Sequence, residues 1–260
     1  MRIRGAQLLS NLFILGTAGS GKSLLTHVLK DFLAQKEWNV ITVNLDPGAE
    51  SLPYDPDVDV RLHVNLHELM ERYDLGPNGG LVLASDMIAS KLPDLLEEIE
   101  SYNADYVLLD TPGQVELFAY RPSGPFIVKQ MGVRDSAVVF LFDSWLATDP
   151  ANFLSLMLLA SSVKLRFCTS FIPVLSKADL AGENVKKIRS WAKRPSELLD
   201  ELSSRMDGED YVFYSGLLRI LGSRGFMSDL WPVSSSTGEG LLDLSSHIAN
   251  VFRGGEEQAG

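Results

Sequence analysis

The chain has 260 residues, 45% of them hydrophobic, with a net charge of −11 at pH 7 and a pI near 4.8. That length fits one sizeable α/β domain or two small ones, and the acidic balance argues against direct binding to nucleic acid or anionic lipid, both of which need a basic face. The single cysteine, Cys168, cannot form an internal disulfide; in its hydrophobic stretch it reads as a buried thiol in a reducing, cytoplasmic setting, and no apolar run approaches the length of a membrane span.

The start, MRIRGAQLLSNLFILG, has the look of a secretory leader. Its apolar run is short, is broken by Ser10 and Asn11, and leads straight into a glycine loop, so NLFIL (11–15) reads as a first strand. GTAGSGKS (16–23) then has the pattern G-x-x-x-x-G-K-S between a predicted strand and a predicted helix. Gly16, Thr17, Ala18, Gly19, Ser20 and Gly21 bring backbone N–H groups around phosphate oxygens, and the helix N-terminus adds its partial positive charge. Lys22 reaches the β- and γ-phosphates and the Ser23 hydroxyl goes to Mg²⁺. A chance glycine turn is the competing reading, and the strand–loop–helix context weighs against it. In the helix that follows, Leu25, Val28, Leu29, Phe32 and Leu33 form an apolar stripe, and His27 falls off it as a surface histidine.

The second strand, NVITVN (39–44), runs into NLDPG (44–48). Asp46 either contacts Mg²⁺ or the attacking water, or serves as a helix-cap or turn aspartate; spacing alone leaves both open. Residues 65–103 read as a helical hairpin. Asn65 and Glu68 make a capping box for a helix ending near Tyr73, GPNGG (76–80) is a turn, and Pro93 breaks or restarts the second helical stretch. DYVLLD (105–110) is a strand whose last residue, Asp110, binds Mg²⁺ through water; the Gly113 N–H in the following DTPGQVE can sense the γ-phosphate.

SAVVFLF (136–142) and SFIPVLS (170–176) are the next strands. In LSKAD (175–179), after Ser176, the Lys177 stem can lie over a base plane. Asp179 can accept from N1–H and the 2-amino group of guanine, a paired donor face that adenine lacks. Residues 180–228 are mostly helical, with Pro195 as a start signal; Leu198, Leu199, Leu202, Leu217, Leu218 and Ile220 are either core at helical spacing or a surface for a client. LWPVS (230–234) is the last strand, and SSSTGEG (234–240), with Ser235 and Ser236, can offer N–H groups to guanine O6. The polar tail, 254–260, reads as disordered. Continuous apolar strands alternating with helices imply a doubly wound, mainly parallel sheet, a three-layer α/β/α P-loop NTPase domain over 1–253. Residues 65–103 and 180–228 are helical insertions in it.

In this order GTAGSGKS, VNLDPGAESLPYDPDVDVR, LGPNGG, DTPGQVELF, LSKADL and SSSTGEG resemble the GPN-loop GTPases, a SIMIBI-class P-loop NTPase family, over residues 12–251; the compact length resembles the family's archaeal branch. The resemblance implies a Mg²⁺-dependent homodimer that binds GTP and GDP and hydrolyses the β–γ phosphoanhydride, its two nucleotide sites facing each other. It implies that Gly76, Pro77 and Asn78 of one subunit insert into the partner's site, with Asn78 at the γ-phosphate region. It places Asp46, Gln114 and Glu116 around the attacking water. Eukaryotic relatives are implicated in RNA polymerase assembly, which makes a protein client a further implied partner.

The sequence departs from expectation in places. Ser176 stands where asparagine is commonest in GTPases, and Leu62 follows the arginine of DVDVR where family members often have aspartate. Position 17 is threonine, not the lysine of related dimeric ATPases, and no arginine finger is evident, which predicts slow intrinsic turnover. Two other readings are a GTP-stabilised client-binding module with little turnover and a P-loop kinase or ATPase; SKAD and SSSTGEG speak against the second.

Overall fold

Seven strands form one parallel sheet in the computed structural model, which describes residues 10–203, 208–222 and 230–257. They are β1 (Ser10–Gly16), β2 (Val40–Asn44), β3 (Val58–Asp59), β4 (Tyr106–Asp110), β5 (Ser136–Asp143), β6 (Ser170–Ser176) and β7 (Trp231–Pro232). The helices are α1 (Lys22–Ala34), α2 (Leu66–Tyr73), α3 (Pro77–Ser101), α4 (Val115–Ala119), α5 (Ser123–Gln130), α6 (Ser144–Ala147) and α7 (Pro150–Phe167). After them come α8 (Ala178–Ala181), α9 (Asn184–Lys193), α10 (Pro195–Ser203), α11 (Gly208–Gly222) and α12 (Leu241–Glu257).

The strand order is β3-β2-β4-β1-β5-β6-β7. β1 lies between β4 and β5, with Asn11 paired to both Val107 and Ser136. Successive side chains of a strand point to opposite faces, and here both faces are buried, which is why the strands are apolar throughout. Leu12 and Ile14 pack with Leu25, Leu29 and Leu33 of α1 and with Leu244 and Ile248 of α12. Phe13 and Leu15 face the other layer, with Ile88, Leu95, Phe140 and Phe153. The chain changes direction of travel at β1, so the loop that leaves its C-terminal end sits in the crevice where open α/β sheets bind ligands.

Six strands lie where the apolar runs put them; β3, two residues long, gives too short a run to be seen. Asn65 caps α2 as expected, its carbonyl oxygen accepting from the Glu68 N–H at 3.2 Å. Two expectations are corrected. Pro93 does not break the second helix: α3 runs through it from Pro77 to Ser101. Ile88, Leu92, Leu95 and Ile99 form a buried stripe on both sides of the proline, and that packing outweighs the one lost backbone hydrogen bond. Cys168 is exposed, not buried. It is the residue that ends α7, with φ 51°, and its Sγ turns back to the Leu165 carbonyl at 3.2 Å while the preceding Phe167 takes the buried position. At the C-terminus, α12 carries the backbone of 254–257; 258–260, the rest of the segment read as a disordered tail, lies outside the described residues.

Candidate nucleotide site

The loop between β1 and α1 takes its shape from glycine. Gly19 and Gly21 have φ of +74° and +92°, and a Cβ on Gly16 would lie 2.6 Å from Ser20 Oγ and 3.0 Å from the Leu141 carbonyl. Lys22 is the first residue of α1 and only 6% exposed. Its ammonium donates to the carbonyls of Gly16 (3.1 Å), Thr17 (3.0 Å) and Gly113 (3.0 Å), so it already joins the phosphate loop to the turn after β4. Burial lowers its pKa, against the pull of Asp110 and Asp46. Thr17 Oγ1 and Ser20 Oγ are buried without a hydrogen-bond partner, as expected of groups that face a polar ligand.

Asp110, at the end of β4, is 1% exposed. Burial raises its pKa to about 6, opposed by the hydroxyls of Ser23 and Tyr54 and by Lys22. Tyr54 donates to Oδ2 at 3.0 Å; Oδ1 is buried and accepts no well-formed hydrogen bond. A carboxylate with a free buried oxygen beside a hydroxyl suits Mg²⁺, which binds through one or two such ligands and otherwise keeps waters and phosphate oxygens. The donor set therefore fits that ion, with Ser23 and Asp110 as the residues that would hold it; among the described residues no cluster of three or more His, Cys, Asp or Glu forms a fuller cage.

Asp46 holds a turn and makes a second contact beyond it. Its Oδ1 accepts from the Gly48 N–H at 2.9 Å and its Oδ2 from the Gly113 N–H at 3.0 Å. One carboxylate thus ties the turn after β2 to the turn after β4. Gln114 and Glu116 follow on that second turn, Gln114 as the residue before α4 and Glu116 in its first turn, both exposed. Arg61 forks onto Asp59 and donates to the Ala49 carbonyl at 2.8 Å, which binds the segment between β2 and β3 to itself; Leu62 is 83% exposed and takes no part.

The GPNGG stretch is not a loose connection. Gly76 precedes α3, Pro77 is its first residue, where a missing N–H is harmless, and Gly80 donates to the Gly76 carbonyl at 2.9 Å. Gly80 packs on α2, where a Cβ would lie 2.5 Å from Met70 Cγ. Leu81 reaches Gly48 so closely that a Cβ there would be 2.5 Å from Leu81 Cδ2. Asn78 is exposed on this rigid first turn, and among the described residues it makes none of the site's hydrogen bonds. The structure brings Asp46, Gly113, Lys22 and Asp110 together and leaves Asn78 outside that cluster.

At the base end, Lys177 has φ 55° and opens α8. Its Cε is 4.0 Å from where a Gly21 Cβ would be, which lays the stem beside the phosphate loop. Its ammonium pairs with Asp143 Oδ2 at 2.7 Å. Ser176 Oγ donates to the Phe142 carbonyl at 3.2 Å, and Ser144 Oγ to the Lys177 carbonyl at 2.6 Å. Asp179 is exposed in the first turn of α8. Ser235 and Ser236 lie in the turn after β7, which closes through Gly238 N–H to the Ser234 carbonyl at 2.9 Å. Sequence reasoning missed Tyr54 and Asp143. Asp143 carries the same mark as Asp110, a carboxylate closing an apolar strand; Tyr54, between two prolines in LPYDP, carries none beyond a phenol that needs a partner.

Residues 14–254 match a family described as a conserved hypothetical ATP binding protein. GPN-loop GTPase 3 of Dictyostelium discoideum is 31% identical over 256 residues, covering 94% of this chain and 87% of the relative. GPN-loop GTPase 1 of the same organism is 32% identical over 238 residues, 90% of this chain, but the chain spans only 58% of that longer relative. Among solved structures, the apo form of a GTPase from Pyrococcus abyssi superposes with a TM-score of 0.82 at 29% identity, covering 94% of this chain and 97% of that one.

Proposed function

The chain belongs to the GPN-loop GTPase family, and from that premise we propose that it binds GTP with Mg²⁺ and hydrolyses the β–γ phosphoanhydride. The observation that carries this reading is the cluster at the C-terminal ends of β1, β2 and β4. Lys22 and Gly113 meet there beside Asp46, with the Asp110 carboxylate and the Ser23 hydroxyl alongside. The phosphate loop holds the triphosphate through backbone N–H groups, Lys22 offsets charge on the β- and γ-phosphates, and Mg²⁺, when bound, supplies further charge neutralisation. Asp46, Gln114 and Glu116 orient the attacking water. Asp179 reads the guanine edge, Lys177 covers its plane, and the 235–236 turn faces O6. The single domain 1–253 acts as a cytoplasmic homodimer, each GPN turn entering the partner's site through Asn78. The dimer cycles between two shapes in a protein-assembly role.

Support for the loop acting in trans comes from its stiffness and its exposure. A proline-started turn on a 25-residue helix loses little conformational entropy on docking. The test is steady-state hydrolysis of GTP against ATP, with and without Mg²⁺, at several protein concentrations. GTP preference, metal dependence and a specific activity that rises with concentration are expected; preference for ATP refutes the base assignment. Lys22→Ala and Asn78→Ala subunits, each inactive, should regain activity when mixed under demonstrated subunit exchange. No rise overturns the trans loop.

A second reading, a client-binding module with little turnover, draws on the groove between α10 and α11. It is about 450 Å³ and is lined in part by Leu199, Tyr211 and Leu218, with Phe213 and Ile220 exposed nearby on α11. Of the six apolar residues singled out in this insertion, Leu198, Leu202 and Leu218 are core, Leu199 and Leu217 are half-buried, and Ile220 is exposed. Tight GTP binding without multiple turnover would favour this reading.

A further inference from the structure

The segment between β2 and β3 crosses the C-terminal edge of the sheet and places one aromatic side chain against the metal-side carboxylate. Tyr54 is 8% exposed, and its hydroxyl donates to Asp110 Oδ2 at 3.0 Å. Its ring stacks on His27 of α1, with centroids 6.5 Å apart and planes 17° from parallel. The backbone on either side is held independently. Asp57 accepts from Lys30 (2.6 Å) and from the Thr42 N–H (2.7 Å) and hydroxyl (3.0 Å). Arg61 fixes the Ala49 carbonyl, and Asn44 donates to Asp59 at 2.9 Å. The phenol therefore approaches Asp110 from a fixed platform.

We propose that Tyr54 is a positioning residue for the Mg²⁺ site: its hydroxyl takes Oδ2 of Asp110 and so turns Oδ1 toward Ser23 and the metal. A carboxylate at the end of a strand can rotate about its last bond and present either oxygen, or both, to a cation. One hydrogen bond from a fixed donor removes that freedom. This is what outer-shell partners of metal ligands do, and their loss typically lowers metal affinity about 10–100-fold. Packing alone would be served as well by phenylalanine at 54, which keeps the ring on His27. Burial and the neighbouring Asp110 carboxylate push the phenol's own pKa up, so it remains a donor throughout the working pH range.

The inference rests on the Mg²⁺–nucleotide reading above. The test is Tyr54→Phe in the full-length chain, read by binding of a fluorescent GTP analogue in EDTA and across a Mg²⁺ titration, with thermal unfolding alongside. The expected result is a Mg²⁺ midpoint raised about tenfold, with affinity in EDTA within twofold of the parent. In an Asp110→Asn background the same substitution should leave the midpoint unmoved, because the carboxylate it orients is gone. A midpoint within twofold of the parent overturns the proposal, even if the variant melts lower, since a structural phenol moves only the melting temperature. If Tyr54→Phe fails to fold, His27→Ala, which loosens the ring but keeps the hydroxyl, should raise the midpoint by a smaller factor; no change there also overturns it. A parent that binds nucleotide equally with and without Mg²⁺ refutes the metal reading itself, and the role of Tyr54 falls with it.

Discussion

Asp110→Asn should make the nucleotide-free protein more stable while removing its metal-dependent activity. The carboxyl's pKa rises from its ordinary 3.8 to about 6 because burial penalises the charge more than Ser23, Tyr54 and Lys22 relieve it. Below pH 3.8 the group is protonated in both folded and unfolded chains, so nothing is gained or lost. Between 3.8 and about 6 the unfolded chain has released the proton and the folded chain holds it, so stability falls as pH rises. Above about 6 both are ionised and the full penalty, about 3 kcal/mol, is in place. Asparagine carries no such penalty. Its Oδ1 can take the Tyr54 hydroxyl, and its amide needs an acceptor such as the Ser23 hydroxyl; an imperfectly met amide returns about 1 kcal/mol. The expected net gain is about 2 kcal/mol at pH 8, a rise in Tm of roughly 4–8 °C for a chain of this size. Urea unfolding in EDTA at pH 4, 5, 6 and 8 measures it: the gap between variant and parent should open up to about pH 6 and then stay level. A gap that does not change between pH 4 and 8, or a variant less stable than the parent at pH 8, refutes the reasoning.

Other substitutions test the remaining assignments. If Asp179 reads the guanine edge as proposed, Asp179→Asn should weaken GTP binding and favour xanthosine nucleotides, because it reverses the hydrogen-bonding group toward position 2 of the base; unchanged preference in a competition assay removes Asp179 from base reading. If both act on the water as proposed, Gln114→Ala and Glu116→Ala should lower kcat at least tenfold with nucleotide affinity within several-fold; equal losses in kcat and affinity would make them structural. Gly48→Ala pushes a methyl to 2.5 Å from Leu81 Cδ2 and should destabilise by about 1 kcal/mol in urea melts, with Gly48→Ala/Leu81→Ala recovering most of the loss. Additive losses in that pair would show that Leu81 does not bear on Gly48.

Much of the sheet was legible because a strand buried on both faces writes itself as an unbroken apolar run, and α1 and α2 announced themselves by an apolar stripe and by the Asn65 cap. The phosphate loop was legible because its glycines are required by backbone approach. What escaped was decided by tertiary packing. Pro93 forbids one hydrogen bond locally, yet a buried stripe on both sides holds α3 together. Cys168 sits among apolar neighbours in sequence, but a helix end turns it outward. The pairings of Tyr54 with Asp110 and Lys177 with Asp143 join residues 56 and 34 positions apart, and no spacing rule reaches that far.

Asp46 shows why a site residue is hard to assign from its own neighbourhood. Sequence offered two roles for it, a turn aspartate or a participant in the chemistry, as though they were exclusive. The structure gives the carboxylate a backbone N–H on each oxygen, Gly48 on one and Gly113 on the other. A backbone N–H makes one good hydrogen bond. A phosphate oxygen that took the Gly113 N–H would therefore release Asp46 Oδ2, and the freed carboxylate would remain anchored by Oδ1 to a turn on which Leu81, three residues after Asn78, is packed. The same hydrogen bond that makes Asp46 a turn residue would then set where its free oxygen points, beside Gly113 and the side chains that follow it. If phosphate displaces Asp46 from Gly113 in this way, a structural and a chemical role meet in one carboxylate, because turns are held by the groups that ligands compete for.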